Sequence, residues 1–403
     1  MDLLHYFEQE TDFENNYWGD NYIEPWVSCT RHKVKYNKTE YEKLISMPLT
    51  FEMLETGSIV FTTNTSGFSR TITFSKNGGV RQTCMATTSG NSISVREGDV
   101  IQFYGNNSSY CENGVRNCTL NSSAKHKIKG NIMSLISESN FWSLKQFDSD
   151  YVFSYIFGSS TGLIDASELI LPAEILTIQC YAGMFSGCSS LTTAPELPAT
   201  TLASNCYRSM FANCTSLVKA PKLPATTLAS SCYAFMFKNC TNLITAPELP
   251  ATTLQNYCYQ CMFSDCTSLV NVPMLPAMDM APYCYGAMFQ NCTSLTTAPE
   301  LPAITLSRNC YSQMFYRCTS LMIAPILSAE VLVSQCYHQM FYKCSNLNYV
   351  KALFTTTPSS TYTSNWLSEV SSTGTFVKNS AATWNVINAS GIPNGWTIET
   401  AAA

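Results

Sequence analysis

Leu197 to Pro221 reads LPATTLASNCYRSMFANCTSLVKAP, and this stretch decides the architecture because it recurs. The pair Cys-Tyr stands at Cys180, Cys206, Cys232, Cys258, Cys284, Cys310 and Cys336, a constant step of 26 residues. A second cysteine follows eight residues later in each copy, at Cys188, Cys214, Cys240, Cys266, Cys292, Cys318 and Cys344, with Met and Phe between the two, as at Met210 and Phe211. Self-similarity at such a period marks a structural module copied in tandem. The few large apolar side chains of one copy cannot offset the entropy of ordering its backbone, so each copy must pack on its neighbours.

At about 100° per residue, Cys206, Tyr207, Met210, Phe211 and Cys214 fall within one arc of ~140°, with Arg208, Ser209, Ala212 and Asn213 opposite. The pattern predicts a short amphipathic helix, N-capped by Ser204 or Asn205. Leu217 to Pro221 follows as an extended segment, because Pro221 cannot donate into a helix and biases Ala220 toward β. The expected fold class is a mixed α/β solenoid of seven 26-residue units over 177–350, one short strand and one short helix per unit. A linker and N-terminal cap repeat is expected over 131–176, where Tyr155, Ile156, Phe157 and Leu163 echo the unit without its cysteines. A C-terminal cap is expected over 351–403, with Trp366, Phe376 and Trp384 covering the last copy.

Fourteen of the 19 cysteines are repeat positions, a placement that reads as reduced packing residues in register and not as a disulfide scaffold. A metal site would want CxxC pairs or accompanying histidines. Of histidines the repeats offer only His338, the C-x7-C spacing of the recurring pair is not a metal-ligand spacing, and no cofactor or metal is expected. Outside the repeats, Cys111 and Cys118 stand close enough in sequence to pair, an option the sequence leaves open beside free thiols.

The front of the chain has another rhythm. Thr50 to Leu54, Ser58 to Phe61, Thr71 to Phe74, Ser92 to Val95 and Val100 to Phe103 alternate apolar and polar residues, separated by turns such as Lys76-Asn77-Gly78-Gly79. A small antiparallel β-sandwich of the immunoglobulin-like class is expected over 48–130. Residues 1–47 are acidic and aromatic, and Tyr17, Trp18, Tyr22 and Trp26 suit an attachment segment that orders on a partner. The first 26 residues lack the basic and apolar regions of a signal peptide, so either export by that route is not expected or the chain is a processed or re-started one.

Met210-Phe211-Ala212-Asn213-Cys214-Thr215-Ser216-Leu217 resembles the close of the BspA-like leucine-rich repeat, over about 175 to 350. Two departures are visible: Cys-Tyr-x-x stands inserted before Met-Phe, and Ala-Pro occupies the strand where the family has β-branched residues. Tyr22 to Ser28, with Lys35-Tyr36-Asn37-Lys38 and Pro48 to Glu52, looks like the opening of repeat proteins found in gut anaerobes and their tailed phages. The resemblance implies a leucine-rich-repeat solenoid used for adhesion or host recognition.

The composition argues against several functions. The net charge is -5 over 403 residues with 13% charged, which leaves no basic footprint for a nucleic-acid partner, and no apolar run is long enough to span a membrane. His5, His32, His126 and His338 are scattered, and neither GxxxxGKS nor HExxH occurs, so no catalytic residue is expected. Glu196, Glu248 and Glu300 sit at equivalent positions and read as solvent-facing. The Asn-Cys-Thr triplets at Asn213, Asn239 and Asn291 read as helix ends.

Comparing the copies with each other locates a binding face. Tyr316, Arg317, Tyr342 and Lys343 form the richest aromatic and cationic group, and Lys219 and Lys222 add charge on the strand side. The expected function is a non-enzymatic phage virion protein, a fibre, tail or capsid-decoration component on the virion surface. It would bind a host receptor or glycan, attach to other virion proteins through its N-terminal segment, and form a homo-oligomer. A bacterial cell-surface adhesin is the alternative, and a glycan-active enzyme the remote one. Reduced cysteines have a direct check: thiol titration of the denatured chain without reductant should return close to all 19, and fewer than half would defeat the ladder reading.

Overall fold

The computed structural model describes residues 38–402. After helix α1 (Lys38–Ile45) come nine strands: β1 (Leu49–Met53), β2 (Gly57–Thr63), β3 (Thr71–Lys76), β4 (Gln82–Met85), β5 (Asn91–Val95), β6 (Val100–Gly105), β7 (Cys111–Glu112), β8 (Arg116–Asn121) and β9 (His126–Asn131). The apolar residues of their alternating pattern, such as Ile59, Phe61, Ile72 and Phe103, are buried in one core shared by two sheets. The four-stranded sheet runs β5-β2-β8-β7. The six-stranded sheet runs β10-β9-β1-β6-β3-β4 and takes in β10 (Leu163–Ile170), which pairs with β9 in parallel, so this front sheet is not purely antiparallel.

β10 is also where the repeats begin. Asp165 bridges Thr193 in parallel, Thr193 bridges Lys219, and the series continues through Thr245 to Asn271. At the far end Ile323 bridges Tyr349 of β11 (Tyr349–Ala352), which pairs in parallel with β12 (Thr375–Lys378) and then β13 (Thr397–Thr400). A second bridge series, including Thr227 to Thr253 and Asp279 to Thr305, follows each proline-containing connection.

The expected α/β solenoid is wrong. Strand accounts for 23% of the chain and helix for 5%, and the two helices among the described residues, α1 and α2 (Ser360–Thr363), both lie outside the repeats. Where a helix was expected, each copy is a run of tight turns. Cys206, Arg208, Met210, Ala212 and Cys214 each donate an N–H to the carbonyl three residues back, at 3.1–3.2 Å. The residues between them, Asn205, Tyr207, Ser209, Phe211 and Asn213, donate instead to Ser230, Cys232, Ala234, Met236 and Lys238 of the next copy, at 2.8–3.0 Å. Every fourth residue is left-handed: φ is 57° at Asn205, 55° at Ser209 and 62° at Asn213. Asn213, Asn239 and Asn291, expected at helix ends, are such turn residues.

Spacing explains why the turns win. Successive Tyr rings, Tyr181 through Tyr337, stack at 5.7–6.0 Å, and successive Phe rings, Phe185 through Phe341, at 5.4–5.7 Å. A helix is about 10–12 Å across with its side chains, too wide to repeat at that step. The second cysteine of each copy fits the same spacing, because its Sγ donates to the Phe carbonyl of the preceding copy, from Cys188 on Phe157 to Cys344 on Phe315, at 2.9–3.2 Å. All 18 cysteines among the described residues are free thiols, Cys111 and Cys118 included.

The turn pattern runs one level past the cysteine copies at each end. Tyr151, Tyr155 and Ser159 are left-handed before the first copy, and Asn365 and Glu369 after the last. The aromatic column closes on Phe153 and Tyr110 at one end and on Trp366 at the other.

Side chains in the left-handed region cost about 1–2 kcal/mol each, and most for β-branched ones. Among the described residues, the 26 such residues with a side chain include no Val, Ile or Thr. Replacing Ser209 with Val should therefore destabilise the fold by about 1–2 kcal/mol, while Ser209→Asn should stay close to neutral; urea unfolding midpoints of the two variants provide the check.

Candidate binding surface

The four-residue turn period sends two side chains in and two out. Cys206, Tyr207, Met210, Phe211 and Cys214 are buried, while the pairs Ser204-Asn205, Arg208-Ser209 and Ala212-Asn213 lie between them toward solvent, apart from a largely covered Ala212. Stacking the copies aligns each outward position into a row, and neighbours in a row touch. Asn309 Nδ2 donates to Gln335 Oε1 at 2.9 Å, Gln313 Nε2 to Gln339 Oε1 at 2.7 Å, and Asn239 Nδ2 to Asn213 Oδ1 at 2.9 Å. Tyr257 and Tyr283 stack at 4.7 Å.

The last two cysteine copies carry the densest group. Tyr316 and Tyr342 stack at 5.2 Å, the Arg317 guanidinium lies 5.5 Å from the centre of the Tyr316 ring, and Lys343 Nζ lies 5.2 Å from that of Tyr342. Tyr342 donates its hydroxyl to Glu369 Oε1 at 2.7 Å, and Lys343 Nζ is 3.7 Å from the same carboxylate. The structure thus brings together four of the residues singled out in the sequence. It keeps Lys219 and Lys222 apart from them, exposed on the bridge-forming and connecting segments. Tyr17, Trp18, Tyr22 and Trp26 lie outside the described residues.

Several members of this surface escaped the sequence reading. Arg308, Asn309, Gln339 and Glu369 join it only once the four-residue period replaces the helical one. A signal was present, since the first copy has glycine at two of its left-handed positions, Gly183 and Gly187.

Among the described residues the nearest approach to a nucleophile and base is Ser160 Oγ, 3.4 Å from His126 Nε2. Both residues are fully buried, and His126 stacks on Phe51 with its Nδ1 2.8 Å from the Ala124 carbonyl, so no substrate can reach the pair. Burial likewise pushes the thiols of Cys188 and Cys344 up to about 12, leaving them protonated and unreactive at neutral pH. A cleft of about 400 Å³ beside Ser69, Arg70, Asn106 and Asn107 has its arginine already committed, through Nε to the Ser109 carbonyl and Nη1 to the Ser69 carbonyl. Among the described residues, no three His, Cys, Asp or Glu side chains form a group suited to a metal ion, and no helix is long and apolar enough to cross a membrane. Comparison with protein-family models, curated proteins and solved structures finds no match to this chain.

His126 has a measurable consequence for stability. Burial lowers its pKa from 6.5 to about 4, so between those values the unfolded chain takes up a proton that the folded chain refuses. Stability should fall by roughly 3 kcal/mol as pH drops from 6.5 to 4, then level off for this group, and His126→Gln should remove that slope in unfolding measured against pH. Asp99 is held at about 2 by its hydrogen bond from Lys76 and those from the Arg96 amide and Asn77, so its loss enters only below about 3.8.

Proposed function

We propose that this chain is a non-enzymatic binding and display protein, a virion component of a phage of gut anaerobes, and that its turn segments face a host receptor or glycan. One observation carries the reading. Cys, Tyr, Met, Phe, Cys and Leu fill the inward positions in all seven copies, whereas the outward positions change from copy to copy, Asn213 giving way to Asp265, Arg317 and Lys343. A purely structural array has no need for such variety on a regular scaffold, while stacked repeats with varied outer residues provide extended recognition surfaces. The sequence likeness of Met210 to Leu217 to the BspA-like motif, and of Tyr22 to Ser28 to phage-associated repeat proteins, supports the same setting.

Mass spectrometry of purified phage particles and of host envelope fractions from an infected gut-bacterial culture separates the candidate settings. Peptides of this chain should come from the particles. Peptides confined to envelopes of uninfected bacteria would replace the virion reading with a bacterial adhesin.

A further inference from the structure

Residues 177–350 hold seven cationic and six acidic side chains, and the fold sorts them. Arg208, Lys238, Arg308, Arg317 and Lys343 occupy outward positions of the turn segments, where Asp265 is the one acid. Glu196, Glu248, Asp279, Glu300 and Glu330 are exposed on the remaining segments, with Lys219 and Lys222. A chain of net charge -5 therefore carries a turn face with five cations against Asp265 and, one level past the last cysteine copy, Glu369, which pairs with Lys343, while the rest of the array has two cations against five acids.

The cations form two groups. Arg208 and Lys238 flank the Phe235 ring at 4.7 Å and 5.9 Å, Arg317 and Lys343 lie over the stacked Tyr316 and Tyr342, and Arg308 stands at the start of the same copy as Arg317, its Nε on Asn309 Oδ1. Between the groups lie the turn segments that start at Asn256 and Pro282, which hold no cation but carry Asp265 and the stacked Tyr257 and Tyr283.

We propose that this face binds an anionic polysaccharide laid along the stack, with successive copies addressing successive sugars. The inference rests on reading the chain as a binding protein and names the class of its ligand. Duplex nucleic acid carries a charge about every 1.7 Å of its axis and would meet an uncharged, partly acidic gap between the two cation groups. A glycan with carboxylate or sulfate on only some of its sugars does not have that problem. Its neutral stretch offers hydroxyls and apolar ring faces, which the amide rows and Tyr257 and Tyr283 can meet. The step between copies, 5.7–6.0 Å in the tyrosine column, is comparable to the length of one hexose ring. Ring contacts already hold Arg208, Arg317 and Lys343 in place, which lowers the entropy lost on binding.

Dextran sulfated on only some of its sugars (dextran sulfate below) and unsulfated dextran, immobilised in parallel, test the idea on the full chain, with duplex DNA as a third surface. Dextran sulfate should bind at least about tenfold more tightly than dextran, with affinity falling as salt rises. The triple variant Arg308→Gln, Arg317→Gln and Lys343→Gln should lose about tenfold or more on dextran sulfate. Its fold should persist, because glutamine already occupies left-handed positions at Gln313, Gln335 and Gln339. Lys219→Gln with Lys222→Gln should bind as the parent does. Equal binding of the two dextrans, tighter binding of DNA, or an unaffected triple variant would overturn the proposal. If neither polysaccharide binds while the labelled chain still adheres to host cells, the anionic ligand is refuted and the binding reading stands. If the cells are not bound either, that reading falls as well.

Discussion

The structure depends on how the repeat divides its backbone amides. Along each turn segment every second N–H closes a turn within its own copy, and the intervening ones reach the next copy. A helix would keep all of these bonds internal. Sharing them makes each copy incomplete alone and complete only between neighbours. The step between copies, the two-in, two-out order of side chains and the left-handed residue at every fourth position all follow from that division.

Inward positions then have little freedom. Tyr and Phe rings must stack on their counterparts, and a small side chain with a weak donor is needed where the Phe carbonyl of the preceding copy waits; cysteine meets both demands. Burial raises the thiol pKa and keeps the proton on sulfur, so the bond to the carbonyl and the chemical inertness of the column have the same origin. Outward positions are constrained mainly by their left-handed backbone, which admits Asn, Ser, Gln, Tyr, Arg and Lys but holds no β-branched residue.

The sequence made the period, the inward residues and the strands of the front region legible, because each leaves a pattern in apolar residues. It misled on the repeat's outer segment. Cys206, Tyr207, Met210, Phe211 and Cys214 repeat every four residues, close enough to 3.6 that a helix gathers them on one side. What separates the two conformations is the residue type at Asn205, Ser209 and Asn213, together with the width available to each copy, and the second is a property of the stack that no single copy displays. The candidate surface was legible in part for the same reason. Tyr316, Arg317, Tyr342 and Lys343 are adjacent in sequence or one period apart, whereas the contribution of Glu369 depends on the turn pattern continuing after the period has faded.

Each junction between copies is chemically the same junction, from the cysteine–carbonyl bond to the ring contacts, and the closing residues around Phe153 and Trp366 meet an ordinary copy. Length is thus an independent variable of this architecture. A gene that gains or loses one 26-residue unit by unequal recombination keeps both ends seated and creates no new kind of contact. It would alter the spacing between surface groups by a single rung, so a lineage could adjust the span of its outer surface in discrete steps without redesigning its interior.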